Sequence, residues 1–146
     1  MVPRRATIAD AAAAAELYLR ARHASVPAIP PLVHADAEVR RWFSEVVLPE
    51  REVWVIGGGA SGPAGLPVLE GEWVDQLYVD PARTRQGIGS ELLEVAKQQR
   101  PAGLDLWVFQ SNERAIAFYE RHGFHEVDRT DGDNEEGAPD LRLHWP

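Results

Sequence analysis

The sequence predicts an α/β fold, with six to seven strands and about four helices in a single domain over residues 1–146. Short apolar segments with strand-like patterns recur along the chain, and two of them break into helices that carry clear start and stop signals. A chain of 146 residues that is 45% hydrophobic can bury one sizeable core. No apolar run approaches the ~18 residues that would indicate a membrane span.

The N-terminal third predicts one strand followed by two helices. Residues 3–7 form the strand, and residues 10–23 an alanine-rich helix with Leu17 and Ala21 on one stripe. After a proline-rich stretch, residues 36–48 predict a second helix. Its apolar positions, which we expect mainly in the core, are Val39, Trp42, Phe43, Val46 and Val47.

The remaining strands follow from short apolar runs between turn signals. Residues 52–56 and 66–69 predict two strands joined by GGGASGPAG, a flexible hairpin turn. Residues 75–79 and 104–109 each precede a helix. Residues 124–129 and 140–145 predict a closing hairpin, which has Leu141, Leu143 and Trp145 on one face.

A glycine-bearing loop in VDQLYVDPARTRQGIGSELLEVAKQQR, residues 74–100, is typical of a pyrophosphate site. Gly87 and Gly89 allow the backbone to approach a ligand, and a helix beginning near Ile88 presents unpaired N–H groups and a positive dipole end. Arg83 and Arg85 would add charge. The loop lacks a third glycine for a dinucleotide fingerprint and the Gly-Lys-Ser/Thr of a P-loop. Taken alone, it could also be a tight strand-to-helix turn.

The segment SNERAIAFYERHGF, residues 111–124, predicts a helix that has both a start signal and a stop signal. Ser111 or Asn112 can cap its start, and Gly123 supplies a left-handed stop. Helical spacing places an amide and a phenol on one face, which comprises Asn112, Ala115, Ile116 and Tyr119.

Together the two segments closely resemble the GNAT superfamily of N-acyltransferases. Its motif B, NxxAxxFYxxxGF, is matched at Asn112, Ala115, Phe118, Tyr119, Gly123 and Phe124. In motif A, Gly87 and Gly89 match, but Thr84 stands where the family usually has glutamine or arginine. The resemblance is strong over residues 72–124. It implies a mixed, mainly antiparallel twisted sheet flanked by the helices.

The resemblance also implies acetyl-CoA as the cosubstrate and an amine acceptor on a small molecule, peptide or protein. The pyrophosphate would lie on the backbone of residues 85–90, the pantetheine arm along residues 75–79, and the thioester where that strand splays from residues 104–109. The implied coenzyme-binding residues are Leu77, Tyr78, Val79, Arg83, Arg85, Gln86, Gly87, Ile88, Gly89, Ser90, Asn112, Ala115 and Phe118.

The chemistry requires a proton acceptor for the amine and a proton donor for the departing thiolate. Tyr119 matches the family position that commonly protonates the thiolate, and backbone N–H groups of residues 77–79 are candidates for the oxyanion site. The base stays open between Asp75, Glu72 and a water chain. Strand alternation predicts Asp75 on the face of Leu77 and Val79, with Glu72 on the other face.

The amino-acid composition and net charge exclude several kinds of site, reaction route and partner. The absence of cysteine removes disulfides, thiolate metal sites and an acyl-cysteine route, so we expect direct transfer in a ternary complex and no metal. A net charge of −8 argues against a nucleic-acid partner. We expect a cytoplasmic protein without a membrane partner, and a homodimer is an option.

Two alternatives remain at this stage. The chain could be a non-catalytic acyl-CoA sensor built on the same cradle, or a purely structural module. The linker at residues 131–140 holds five acids, Asp131, Asp133, Glu135, Glu136 and Asp140. It is either a lip that attracts a cationic amine or an exposed solvated loop.

Overall fold

A seven-stranded sheet in the order β1-β2-β3-β4-β5-β7-β6 organises the computed structural model, which describes residues 2–58, 62–84 and 86–146. The strands are β1 (Arg4–Arg5), β2 (Glu52–Gly57), β3 (Pro63–Glu70), β4 (Trp73–Val79), β5 (Leu104–Phe109), β6 (His125–Thr130) and β7 (Asp140–Trp145). The helices are α1 (Ala11–Ala24), α2 (Asp36–Trp42), α3 (Leu48–Glu50), α4 (Ile88–Gln99) and α5 (Glu113–Arg121). Every neighbouring pair of strands is antiparallel except β4 and β5. The mixed, mainly antiparallel sheet is therefore confirmed.

The predicted elements are present, with differences at their ends. The first strand is limited to Arg4–Arg5, and the helix predicted over residues 36–48 is α2 followed by a π-helical turn at Phe43–Val47 and the short α3. The strand predicted over residues 66–69 begins earlier, at Pro63. Most of the predicted hairpin loop at residues 57–65 is therefore strand or lies outside the described residues.

Two main core clusters cover the two faces of the sheet. One packs α1 and α2 against β2 and β3, and the other packs α4 and α5 against β5 and β7. Tyr78 and Leu77, neighbours in β4, pack against different clusters, as strand pleating requires of two faces. β4 is thus in contact with both helical layers.

Gly65 shows why α4 can lie so close to β3. A Cβ atom on Gly65 would be 2.9 Å from Leu92 Cδ1 and 3.0 Å from Ile88 Cγ2, which is closer than real contacts allow. The prediction that this glycine belongs to a flexible hairpin turn is wrong, because Gly65 lies in β3 and the first turns of α4 pack against it.

The parallel strands β4 and β5 pair only where they begin. Trp73 and Asp105 form the one bridge between them, and the Asp105 N–H donates to the Glu72 carbonyl at 2.9 Å. β5 continues beside β7, whereas β4 continues beside β3. The two strands therefore separate, and the splay expected from the resemblance is observed. In the ranges that the structure describes, no helix has the length and apolarity needed to cross a membrane.

Candidate active site

A cleft of about 830 Å³ opens where β4 and β5 separate. Its walls are β4, β5, the start of α4, one side of α5 and the segment after α1. Twelve predicted site residues line it: Asp75, Leu77, Tyr78, Val79, Gly87, Ile88, Gly89, Ser90, Asn112, Ala115, Phe118 and Tyr119. The two sequence motifs therefore meet at one cavity.

The start of α4 forms a backbone cradle in this cleft, at Gly87 and the first turn of the helix. Gly87 has φ +76°, and a Cβ there would meet no atom within 4 Å, so the glycine is required by backbone conformation and leaves open space. The first intrahelical bond runs from Glu91 N–H to the Gly87 carbonyl, which leaves the N–H groups of the first turn directed out of the helix end. The N–H groups and the helix dipole suit a phosphate.

Gly89 lines the cleft and also has a packing role that the sequence did not predict. A Cβ on Gly89 would be 3.2 Å from the tip of the Phe118 ring, so this glycine allows α5 to pack against the first turn of α4. The side chain of Ile88 is likewise buried in the core and can serve a ligand only through its backbone.

Arg83, which was expected to add positive charge beside the cradle, has hydrogen-bond partners within the protein. The Arg83 guanidinium donates to Asp80 Oδ2 at 3.2 Å and to the carbonyls of Gly62 and Pro63 at 3.1 and 3.3 Å, and neither Arg83 nor Gln86 lines the cleft. The Arg83 guanidinium is therefore engaged by Asp80, and the coenzyme contacts expected of Arg83 and Gln86 stay predictions. Arg85 lies outside the described residues.

Sequence reasoning missed two arginines and two aromatic residues of the cleft wall. Arg114 and Arg121 of α5 line it, as do Trp107 and Phe109 of β5. The cationic residues stand on the helix that carries motif B, and their spacing of seven residues, about two turns of helix, could have indicated a shared face.

Tyr119 is the phenol that the motif places in this cleft. Its ring packs edge-on against Phe118 and Phe124, at centroid distances of 5.4 and 5.6 Å. Burial raises the pKa of Tyr119 to about 12, and none of the described residues hydrogen-bonds its hydroxyl. The group is a neutral O–H donor at pH 7, without a partner among the described residues.

The helix that holds Tyr119 begins and ends as the sequence predicts. Asn112 is the N-cap, and its side-chain oxygen accepts from Ala115 N–H at 3.4 Å. Gly123 has φ +91° and provides the left-handed stop. Ser111 instead donates to the Ala28 carbonyl at 2.6 Å, which ties the segment after α1 to the rim of the cleft.

Asp75 lies on the other side of β4 from the one that alternation predicts. The ladder with β3 shifts register here, since Val68 pairs with Gln76 while Leu69 pairs with Val74. Asp75 is the extra residue of this bulge. Its carboxylate accepts from Arg51 Nη1 at 2.6 Å, and the Arg51 guanidinium lies over the Trp42 ring. The Asp75 carboxylate is therefore held toward Arg51 on the α2 side, while the residue still lines the cleft.

The two base candidates also differ in burial and in position. Burial raises the pKa of Asp75, while the Arg51 guanidinium opposes that rise. Glu72 is exposed in the turn before β4 and does not line the cleft. Of the two carboxylates, Asp75 is the one at the cleft.

A second cavity, of about 470 Å³, lies on the α1 and α2 side of β4, and we refer to it as the side cavity. Gln76 and Tyr18 line it together with Trp42, and Gln76 also lines the cleft. Its remaining walls come from α1, the 32–39 segment and the turn between β6 and β7: Arg22, Leu32, Val33, His34, Glu38, Val39, Glu135 and Glu136. The side cavity and the cleft thus meet at the same strand.

The acidic β6–β7 linker reaches this side cavity through ion pairs. Glu136 Oε1 is 3.7 Å from Arg22 Nη2, and Glu135 Oε1 is 3.2 Å from His34 Nε2. Arg22 is only 6% exposed, and its Nη1 also donates to the Tyr18 hydroxyl. The Glu135 carboxylate raises the pKa of His34. With Glu38, the cavity carries three carboxylates against one arginine.

Within the described residues there is no group of three or more histidine, cysteine, aspartate or glutamate side chains arranged to hold a metal ion.

Comparison with known proteins agrees with this architecture. The family model described as "Acetyltransferase (GNAT) domain" matches residues 49–126. The peptidyl-lysine N-acetyltransferase YjaB of Salmonella typhimurium is 38% identical over 111 residues, which cover 75% of this chain and 75% of the relative. The solution structure of apo YjaB from Escherichia coli aligns with a TM-score of 0.78 at 27% identity, covering 99% of this chain and 98% of the other.

A further solved structure, the PaiA N-acetyltransferase of Thermoplasma acidophilum in complex with coenzyme A, aligns with a TM-score of 0.69 at 16% identity and covers 99% of this chain and 97% of that one. At that identity it shows the shared fold. The chain belongs to the GNAT acetyltransferase family. It is an N-acetyltransferase, and the acyl-transfer activity expected from its two motifs is confirmed.

Proposed function

We propose that residues 1–146 form a single catalytic domain that transfers the acetyl group of acetyl-CoA to the ε-amine of a lysine in a peptide or protein, by direct attack in a ternary complex. The observation that carries this proposal is the pair of cavities beside β4. The cleft holds an anion cradle and an unpartnered phenol, the side cavity is acidic, and Gln76 borders both. Donor and acceptor can therefore approach one reaction centre from two sides.

The cleft fits the donor. The open space and backbone N–H groups at Gly87 suit the pyrophosphate, and Arg114 and Arg121 add positive charge along the same wall. Beyond Trp73, none of the described strands pairs with the edge of β4 that faces β5, so its backbone groups can pair with the pantetheine amides as an added strand would.

The transfer itself needs few protein groups. The neutral amine nitrogen attacks the thioester carbon, a C–N bond forms, and the C–S bond breaks as the electron pair goes to sulfur. Backbone N–H groups of Leu77–Val79 stabilise the oxyanion, and Tyr119 gives its proton to the departing thiolate. The amine proton leaves to Asp75 or through water. Asp75 would have to exchange its Arg51 contact for that proton, so water is the more direct route.

The side cavity fits the acceptor. Trp42 and Tyr18 offer aromatic surface for an aliphatic stem, and the three carboxylates favour a cationic approach. The YjaB and YiaC relatives carry the name peptidyl-lysine N-acetyltransferase, which supports the same choice of acceptor.

The test is a coupled binding and turnover experiment on the full chain. Calorimetric titration with acetyl-CoA measures donor binding, and thiol release with lysine-containing peptides measures transfer, with the acetylated lysine identified by mass spectrometry. The proposal expects micromolar binding and acetylation of lysine side chains. Binding without turnover on any amine would instead support a coenzyme sensor, and absence of binding would overturn the cradle.

A further inference from the structure

A serine–histidine pair joins the start of α4 to the end of α5 beside the phosphate cradle. His122 Nε2 is 3.0 Å from Ser90 Oγ, and His122 Nδ1 is 2.8 Å from the Phe118 carbonyl oxygen. Ser90 is in the first turn of α4 and lines the cleft, where its hydroxyl is exposed. Neither side chain has a role in the transfer steps described above.

The two contacts determine which way each hydrogen bond runs. A carbonyl oxygen only accepts, so Nδ1 carries a hydrogen and donates to Phe118. In the neutral imidazole Nε2 is then unprotonated, and it can only accept from Ser90. The single O–H of Ser90 is consequently directed at His122, and a phosphate in the cradle would meet the lone pairs of the serine oxygen.

Protonation of His122 reverses this arrangement. Nε2–H becomes the donor to Ser90 Oγ, and the serine hydroxyl can then donate its own hydrogen to a different acceptor. A phosphate oxygen at the start of α4 is the acceptor that the cradle would supply. The imidazolium also adds one positive charge next to the cradle.

We propose that Ser90 and His122 form a proton-linked phosphate contact, in which protonated His122 orients the Ser90 hydroxyl to donate to the coenzyme pyrophosphate. The inference rests on the proposed coenzyme site. His122 acts through Ser90 and is therefore a positioning residue. Binding of acetyl-CoA takes up a proton wherever His122 is neutral in the free protein, and it weakens as pH rises.

Charged and aromatic groups from α4, α5 and β7 surround His122. From α4, the Lys97 ammonium donates to the His122 carbonyl, and helical spacing puts Glu94 between Ser90 and Lys97 on that helix face. On α5 itself, Arg121 precedes His122, and the Phe118 ring lies 4.5 Å from the imidazole. Beyond Gly123, the neighbouring residue of β7 is Trp145, which does not titrate.

The chain offers a matched set of variants. Ser90→Ala removes the hydroxyl at an exposed position, and His122→Gln replaces the imidazole by an amide whose N–H can donate to Ser90 at every pH. His125→Gln is the control, because His125 also flanks Gly123 but its ring lies against His144, at 5.8 Å between centroids. Thermal unfolding confirms that each variant is folded.

The experiment is calorimetric titration with acetyl-CoA between pH 6 and 8.5, in pairs of buffers with different ionisation enthalpies. The coenzyme's own 3′-phosphate also titrates in this range, so the proton count is read as the difference between proteins and is repeated with dephospho-coenzyme A. For the wild type and the His125 variant we expect proton uptake and a Kd that rises roughly 2- to 10-fold between pH 6 and 8.5. This change corresponds to the free energy of about one hydrogen bond.

We expect Ser90→Ala to bind with the weak, high-pH Kd throughout, and His122→Gln to lose the proton uptake while keeping tighter binding at high pH. Proton uptake by His122→Gln equal to that of the wild type would overturn the inference and leave the coenzyme site intact. If none of the proteins bound acetyl-CoA, the coenzyme site itself would be refuted, and this inference with it.

Discussion

Replacing Tyr119 by phenylalanine removes one hydroxyl and keeps the ring that packs between Phe118 and Phe124. Because the hydroxyl bonds to none of the residues that the structure describes, its loss leaves none of their polar groups unpaired. We therefore expect the free energy of unfolding to change by less than about 1 kcal/mol. The coenzyme Kd should also stay nearly constant, since the phenol acts only as the thiolate leaves.

The effect on turnover follows from the protonation state. With a pKa of about 12, Tyr119 is ionised in only about one molecule in 100,000 at pH 7, so it is present as the acid. Loss of one general acid should lower kcat by roughly 10- to 1,000-fold, which corresponds to about 1.4 to 4.1 kcal/mol of activation free energy.

The assay is steady-state thiol release for kcat, together with calorimetry for Kd and denaturant unfolding for stability. The wild-type rate should show no alkaline decline from Tyr119 between pH 8 and 10, because burial keeps this phenol protonated there. Wild-type kcat in the phenylalanine variant would mean that solvent protonates the thiolate. A decline near pH 9 that disappears in the variant would refute the elevated pKa.

Three further changes test the elements around the site. Gly65→Ala should cost about 1 to 3 kcal/mol of unfolding free energy by overpacking against α4, and an unchanged denaturation midpoint would contradict that contact. Gly87→Ala should cost about 1 to 2 kcal/mol through its positive φ, and should weaken acetyl-CoA binding in calorimetry because the new methyl group enters the cleft. Glu135→Gln should raise KM for a lysine peptide with basic neighbours by about 2- to 5-fold, which corresponds to the free energy of a surface ion pair. Asp133→Asn is the control, because Asp133 is on the same turn but does not line the side cavity. Equal effects of the two variants on KM would refute a local role of Glu135.

The helices and strands nearest the site could be predicted from the sequence, because their capping residues and apolar patterns are local. The cap at Asn112 and the left-handed stop at Gly123 each depend on residues within about one turn of helix. The apolar periodicity of β5 and β7 predicted both strands with their observed ends. Motif B therefore placed Tyr119 correctly in the cleft.

The charged residues were predicted less well, because their positions depend on partners distant in sequence. Asp80 and the carbonyls of Gly62 and Pro63 engage Arg83, and within the described part of the chain the cationic residues that line the cleft come from α5. The bulge in β4 arises from its pairing with β3, and strict alternation therefore assigned Asp75 to the wrong face.

The sequence by itself determined the order of the elements, their capping and the two motifs that meet at the cleft, because each of these is encoded in a few consecutive residues. The tertiary structure decided that Gly65 supports α4, that Gly89 accommodates Phe118, and that Glu136 joins Arg22 across more than a hundred residues. Such contacts depend on which side chains the packed fold brings within a few ångströms of one another, and no local pattern records that.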